Sequence, residues 1–211
     1  MSQNIRVYKK RLQISQKKWT TVQGQSLRTV NMVLNILSRL NITQRPDIFS
    51  EAIKTKFDDV QGRLSFSLAE SINRHITELN SFLSHFEEIL LEMRKIEETF
   101  RCDILTPAKN RAGKENDIWP HDLEIIDQAE NTIREIIDMY EIEFALRKQI
   151  VFEIQESVTP QIHKLTAYLI LWSSEIYIEP TRIHELIEEF GYVEKIYERF
   201  QANEEVNPIS K

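Results

Sequence analysis

The chain has 211 residues with 4 Gly, 6 Pro, one Cys and a net charge of −6. Long helices tolerate glycine poorly, so its scarcity argues for helices and against Gly-loop and all-β architectures. The lone Cys102 excludes an internal disulfide and a Cys-based zinc site. No apolar run reaches the length of about 18 residues that a membrane helix needs, and the first residues lack the apolar core of a secretory signal, so a reducing compartment is expected.

Residues 5–40 read as one helix. Val22, Ser26, Val30, Val33 and Leu37 recur three and four apart, with Leu27 and Leu34 beside them; Gly24 is a point where it would fray, and Asn41 and Pro46 end it. Residues 1–46 contain Arg6, Lys9, Lys10, Arg11, Lys17, Lys18, Arg28, Arg39 and Arg45 and no Asp or Glu, so this stretch is +9 and the remainder −15. Two readings stay open. Either the first helix lies against acidic helices of the same chain, or it is a basic arm for RNA, DNA or an acidic protein surface. No Gly/Arg repeat or interleaved aromatic accompanies the charges. Within residues 47–66, Ile48, Ile53, Phe57 and Val60 suggest a short helix that stops at Gly62.

The second long helix carries Ile72, Ile76, Leu79, Leu83, Phe86, Leu90 and Met93, alternating four and three apart as a heptad seam does. Phe82, Ile89, Ile96 and Phe100 widen the stripe, which favours a multi-helix bundle over a two-stranded rod. Residues 103–118, with Pro107, Gly113 and two polar runs, read as a flexible linker. Pro120 sits at the start of a third long helix, where its missing N–H costs nothing. Ile126, Ile133, Ile137, Tyr140, Phe144 and Val151 share one face, and Arg147 is the polar step on it. Thr159-Pro160 opens a fourth helix with Leu165, Leu169, Trp172 and Ile176 inward. Pro180 restarts the chain into a last amphipathic segment through Ile183, Leu186 and Phe190, continuing past Gly191, with residues 201–211 loose. The fold expected is all-α: an elongated bundle of long amphipathic helices, in lobes 1–102 and 119–200 about the linker.

Catalytic chemistry is not visible. No GxxxxGK[ST] or GxGxxG occurs, and no two of His75, His85, His121, His163 and His184 stand in an HExxH setting. Glu87-Glu88, Glu97-Glu98 and Glu188-Glu189 are neighbours around a helix and read as solvated faces. We expect no enzyme, no cofactor and no metal. Trp172 is in phase with Leu165 and Leu169 and reads as core. Trp119, at a linker–helix junction, is the candidate partner anchor.

The run Met139-Tyr140-Glu141-Ile142-Glu143-Phe144-Ala145-Leu146-Arg147-Lys148 is followed by Tyr168-Leu169-Ile170-Leu171-Trp172, Tyr177-Ile178-Glu179 and Arg182-Ile183-His184. With Trp119-Pro120 before it and Trp19 in the first helix, this order resembles the cyclin-dependent kinase 2-interacting protein family, well over the last ninety or so residues and in outline elsewhere. The resemblance implies a non-enzymatic helical adaptor, nuclear and cytoplasmic, in an assembly with two AAA-type ATPases and a second small helical subunit. It implies action in large ribosomal subunit maturation and in replication and checkpoint protein remodelling, pre-ribosomal particles being met indirectly and membranes not at all. It also implies binding to cyclin-dependent kinase 2 and checkpoint proteins. Partner contacts would then fall on Trp119, Tyr140, Phe144, Lys9, Lys10 and Arg11. Thr106-Pro107-Ala108-Lys109 fits a proline-directed kinase site, and Lys10-Arg11-Leu12-Gln13-Ile14 fits a cyclin-docking pattern; the plain readings are a loop turn and helix-forming residues. The rival function is a coiled-coil subunit of a kinetochore or vesicle-tethering complex, which the heptads support equally.

Overall fold

The computed structural model describes residues 5–45, 47–112, 120–156 and 162–206. These residues are all-α, with no strand among them: α1 (Arg6–Thr43), α2 (Glu51–Lys56), α3 (Val60–Phe100), a π-helical turn (Arg101–Leu105), α4 (Thr106–Ala112), α5 (Pro120–Glu156), α6 (Ile162–Ser174) and α7 (Pro180–Val206).

α1 starts on the Ile5 carbonyl, which accepts from the Tyr8 and Lys9 amides. A buried seam steps by three and four from Ile5, just before the helix, through Tyr8, Leu12, Ser15, Trp19, Gln23, Ser26, Val30 and Val33 to Leu37, with Thr29, Leu34 and Thr43 also buried. The seam passes Gly24 without a break. At its end Gln61 Nε2 donates to the Thr43 carbonyl at 2.6 Å, satisfying one of the acceptors that a helix terminus leaves open. α2 is short, as expected, but the turn after it lies earlier than Gly62. Asp59, with φ 50, makes the left-handed step, a conformation Asp tolerates, and its carbonyl then accepts from the Arg63 amide. Gly62 thus belongs to the first turn of α3.

The expected linker at 103–118 is helical over 103–112; residues 113–118 lie outside the described residues. Ile104, Leu105 and Ala108 are buried. The polar run after Pro107 suggested a break because a mid-helix proline lacks an N–H and crowds the carbonyl four residues back. The chain accommodates it by widening one turn: the Thr106 amide donates to the Arg101 carbonyl, five residues back. Pro120 and Pro180 open α5 and α7 at the position where proline is tolerated. α6 ends at Ser174, and Glu175 takes a left-handed φ of 46, which turns Ile176, expected inward, out to solvent. α7 continues past Gly191 to Val206, so residues 201–206 are helix rather than tail. Thr159-Pro160 lies outside the described residues.

The chain forms two compact units, and they do not follow the expected 1–102 and 119–200 division. The first comprises Met1–Trp19, Glu88–Glu143 and Tyr177–Lys211; the second comprises Thr20–Glu87 and Phe144–Ile176. α1, α3 and α5 each contribute residues to both. The first unit's core holds an aromatic series: Tyr8 meets Phe100 edge-on at 5.4 Å, Phe100 meets Phe190 at 6.1 Å, and Trp19 meets Tyr140 at 4.9 Å. The second unit's core joins Val30, Val33 and Leu37 of α1 with Leu79 and Phe86 of α3, Val151 and Ile154 of α5, and Leu165 and Trp172 of α6.

Candidate functional site

The acid-free first helix meets acidic helices inside the first unit. Arg6 pairs with Glu194, Lys9 with Glu188 at 3.4 Å, and Lys18 with Glu92 at 2.6 Å. For these three residues the internal reading of the basic stretch holds. The same unit contains a denser cluster. Arg101 and Arg134 both engage Glu97 and Glu130, and Arg182 grips Glu135 through two bonds of 2.8 and 3.0 Å. Glu130 is buried, and two guanidinium groups satisfy it. The Arg101 guanidinium is held further toward its charged form by its hydrogen bond to Glu130.

In the second unit the polar step on α5 becomes the centre of a buried knot. Arg147 is 0% exposed. Its guanidinium lies over the Phe86 ring at 4.5 Å and over the Trp172 ring at 5.2 Å. It donates to Gln23 Oε1 and pairs with Glu175 at 3.1 Å. Gln23 Nε2 donates to the Trp172 carbonyl at 2.6 Å, and Trp172 Nε1 donates to Ser26 Oγ at 3.1 Å. A charge this deep needs an ion-pair partner and hydrogen bonds, and Glu175 and Gln23 supply them here. Nearby, burial pushes the Tyr168 phenol up to about 12, with its hydrogen bond to Glu153 adding to the shift. The same bond, with a second from Gln149, holds the Glu153 carboxyl below its usual value.

The residues picked from sequence divide by location. Tyr140 is buried against Trp19, and Phe144 is buried with Lys148 Nζ 4.6 Å from its ring centre. Both serve the chain's own packing. Tyr140 belongs to the first unit, and Phe144, Tyr168 and Trp172 to the second. Lys9 is paired as above, while Lys10 is exposed and Arg11 half-buried. Leu12 of the docking-like sequence is 0% exposed, so that sequence cannot present its leucine without opening α1. Thr106 is exposed, but it stands at the start of a helix rather than in a loop. Trp119 lies outside the described residues. Gln23, Ser26 and Glu175 were missed as functional positions; the available signal was polar residues falling in step with a buried heptad.

Two further features face solvent. A cleft of about 380 Å³ lies between the N-terminal part of α5 and the middle of α7, with polar lining from His121, Asp122, Thr132, Glu189, Tyr192 and Lys195. The stretch 48–66 shows apolar side chains: Ile53, Phe57 at 55% and Phe66 at 74% exposure, and α2 buries no residue. No group of three or more His, Cys, Asp or Glu suited to a metal occurs among the described residues, and none of their helices is long and apolar enough to cross a membrane. The arrangement offers surfaces for binding.

The family described as ribosome biogenesis protein C1orf109-like matches residues 1–114. No curated protein matches the chain. The match covers the half in which the sequence resembled the kinase-interacting family only in outline. It carries the ribosome connection and not the kinase-interacting name.

Proposed function

The chain belongs to the ribosome biogenesis protein C1orf109-like family, and from that premise we propose that it is a non-enzymatic helical adaptor in large ribosomal subunit maturation. The observation that carries the adaptor role is the exposed apolar stretch of residues 48–66. Ile53 lies on α2, which buries no residue, Phe57 caps its end in an extended conformation, and Phe66 follows at 74% exposure. Apolar side chains left in water at this density suit a face that a partner covers. The partners in this reading are two AAA-type ATPases and a second small helical subunit. The chain positions the ATPases on a pre-ribosomal client, and they perform the chemistry. Work on a pre-ribosomal client implies a nuclear as well as a cytoplasmic location.

The resemblance of the Met139–Trp172 run extends the reading to replication and checkpoint proteins and to cyclin-dependent kinase. In that extension Thr106 is the modified residue. Its helical setting means that α4 must open before a kinase can hold Thr106-Pro107 extended.

The test is purification of the tagged full chain from cells, with partners identified by mass spectrometry. AAA ATPases together with large-subunit maturation factors are the expected result. Kinetochore or vesicle-tether subunits in their place would replace this reading with the coiled-coil one.

A further inference from the structure

The basic residues of α1 fall into two kinds. Arg6, Lys9 and Lys18 are neutralised by glutamates of the first unit. Arg28 and Arg39, in the second unit, are exposed, and among the described residues neither makes an ion pair. They stand eleven residues apart, three helical turns and about 16.5 Å along the axis, so they share one face. Asn31, Met32 and Asn35 occupy the same face between them, and all three are exposed. No acidic side chain interrupts it, because residues 1–46 contain no Asp or Glu.

We propose that this face of α1, from Arg28 to Arg39, binds RNA directly through its phosphate backbone. Arginine offers a planar fork of donors that matches phosphate oxygens, and it keeps its charge at any physiological pH. Two such forks three turns apart grip separate phosphates. The Asn31 and Asn35 amides between them donate to phosphate or ribose oxygens, which fixes position without demanding a sequence. The opposite face of the same stretch is locked by Val30, Val33 and Leu37 in the core, so the ridge is rigid before RNA arrives. Internal glutamates account for Arg6, Lys9 and Lys18 in the first unit, whereas the acid-free face between Arg28 and Arg39 suits the approach of a polyanion. RNA is preferred over an acidic protein partner because the ribosome-maturation reading puts RNA within reach, and the inference rests on that reading for the choice.

Three forms of the full-length chain test this: wild type, Arg28→Gln/Arg39→Gln, and a control with Arg74→Gln elsewhere in the same unit. Glutamine keeps helix propensity near that of arginine, and unchanged melting confirms the fold. Binding to a short fluorescent RNA hairpin is followed by anisotropy across a salt titration, with a poly-glutamate peptide as second probe. The double variant should bind the hairpin at least about 10-fold more weakly, with a log–log salt slope shallower by about 2, and the control should match wild type. Equal hairpin binding by wild type and double variant overturns the proposal. So does Arg28/Arg39-dependent binding of poly-glutamate without hairpin binding, which assigns the ridge to an acidic protein. The ribosome reading is scored separately, by co-sedimentation of wild type with large-subunit precursors. Arginine-dependent hairpin binding without co-sedimentation leaves the ridge standing and removes the ribosome. Co-sedimentation without hairpin binding does the reverse.

Discussion

Arg147 is the residue on which the second unit turns. Truncation to Ala empties the space between the Phe86 and Trp172 rings and leaves Gln23 Oε1 without its donor. The cost combines a cavity with a broken buried network, and chemical denaturation should show a loss of about 3 kcal/mol. A loss under about 1 kcal/mol would mean that the knot relaxes freely. Tyr168 supplies a sharper readout. Its phenol titrates at 10.0 when free and at about 12 in the folded chain. A raised folded value means that this group's contribution is fully present below pH 10 and is lost as pH rises toward 12. Tyr168→Phe should therefore flatten the fall in the urea midpoint across that window, relative to wild type. An identical fall in both proteins would show that Tyr168 ionises as freely folded as unfolded. Arg147 was visible in the sequence as a polar step on an apolar face, but its partners were not. Gln23 and Ser26 come from α1 and Glu175 from the turn after α6, and no local pattern ties Arg147 to Gln23 across 124 positions.

α1 is continuous where its sequence invites a break. A Cβ added at Gly24 would meet nothing within 4 Å, and the site is exposed helix interior. Gly24→Ala should then stabilise the chain by about 0.5–1 kcal/mol, measured as a raised urea midpoint at constant slope. At Gly62 the same change crowds the Asp59 carboxyl, so the gain there should be smaller or absent. A destabilised Gly24→Ala would point to a required kink. The α3 seam was legible because large aliphatic residues hold its heptads; Ile72, Leu79, Phe86, Leu90 and Met93 are all buried. The first half of the α1 seam was harder to see, because Tyr8, Ser15 and Gln23 take buried steps that apolar periodicity does not count. Residues 103–112 were misread for a different reason. Pro107 reads as a breaker in any local rule, while the π turn that absorbs it draws on the burial of Ile104 and Leu105.

At the scale of the whole molecule, all-α architecture followed from composition and heptads, and the division into units did not. The first unit takes three separate segments of the chain and the second takes two, so a linker search along the sequence could not find the division. Within the motif-bearing run Tyr140 and Phe144 were expected at a partner surface and Trp172 in the core; all three are buried, as is Arg147. The surfaces proposed for partners are therefore the 48–66 apolar stretch and the α1 ridge. The central claim is that the chain works on large ribosomal subunit precursors. Depletion of the protein from cells, with wild-type add-back, followed by gradient sedimentation and pre-rRNA analysis, tests it most directly. The account predicts that the chain sediments with large-subunit precursors and that its loss makes those precursors accumulate while small-subunit precursors mature normally. A chain that stays at the top of the gradient, with large-subunit processing unchanged by its loss, would contradict it.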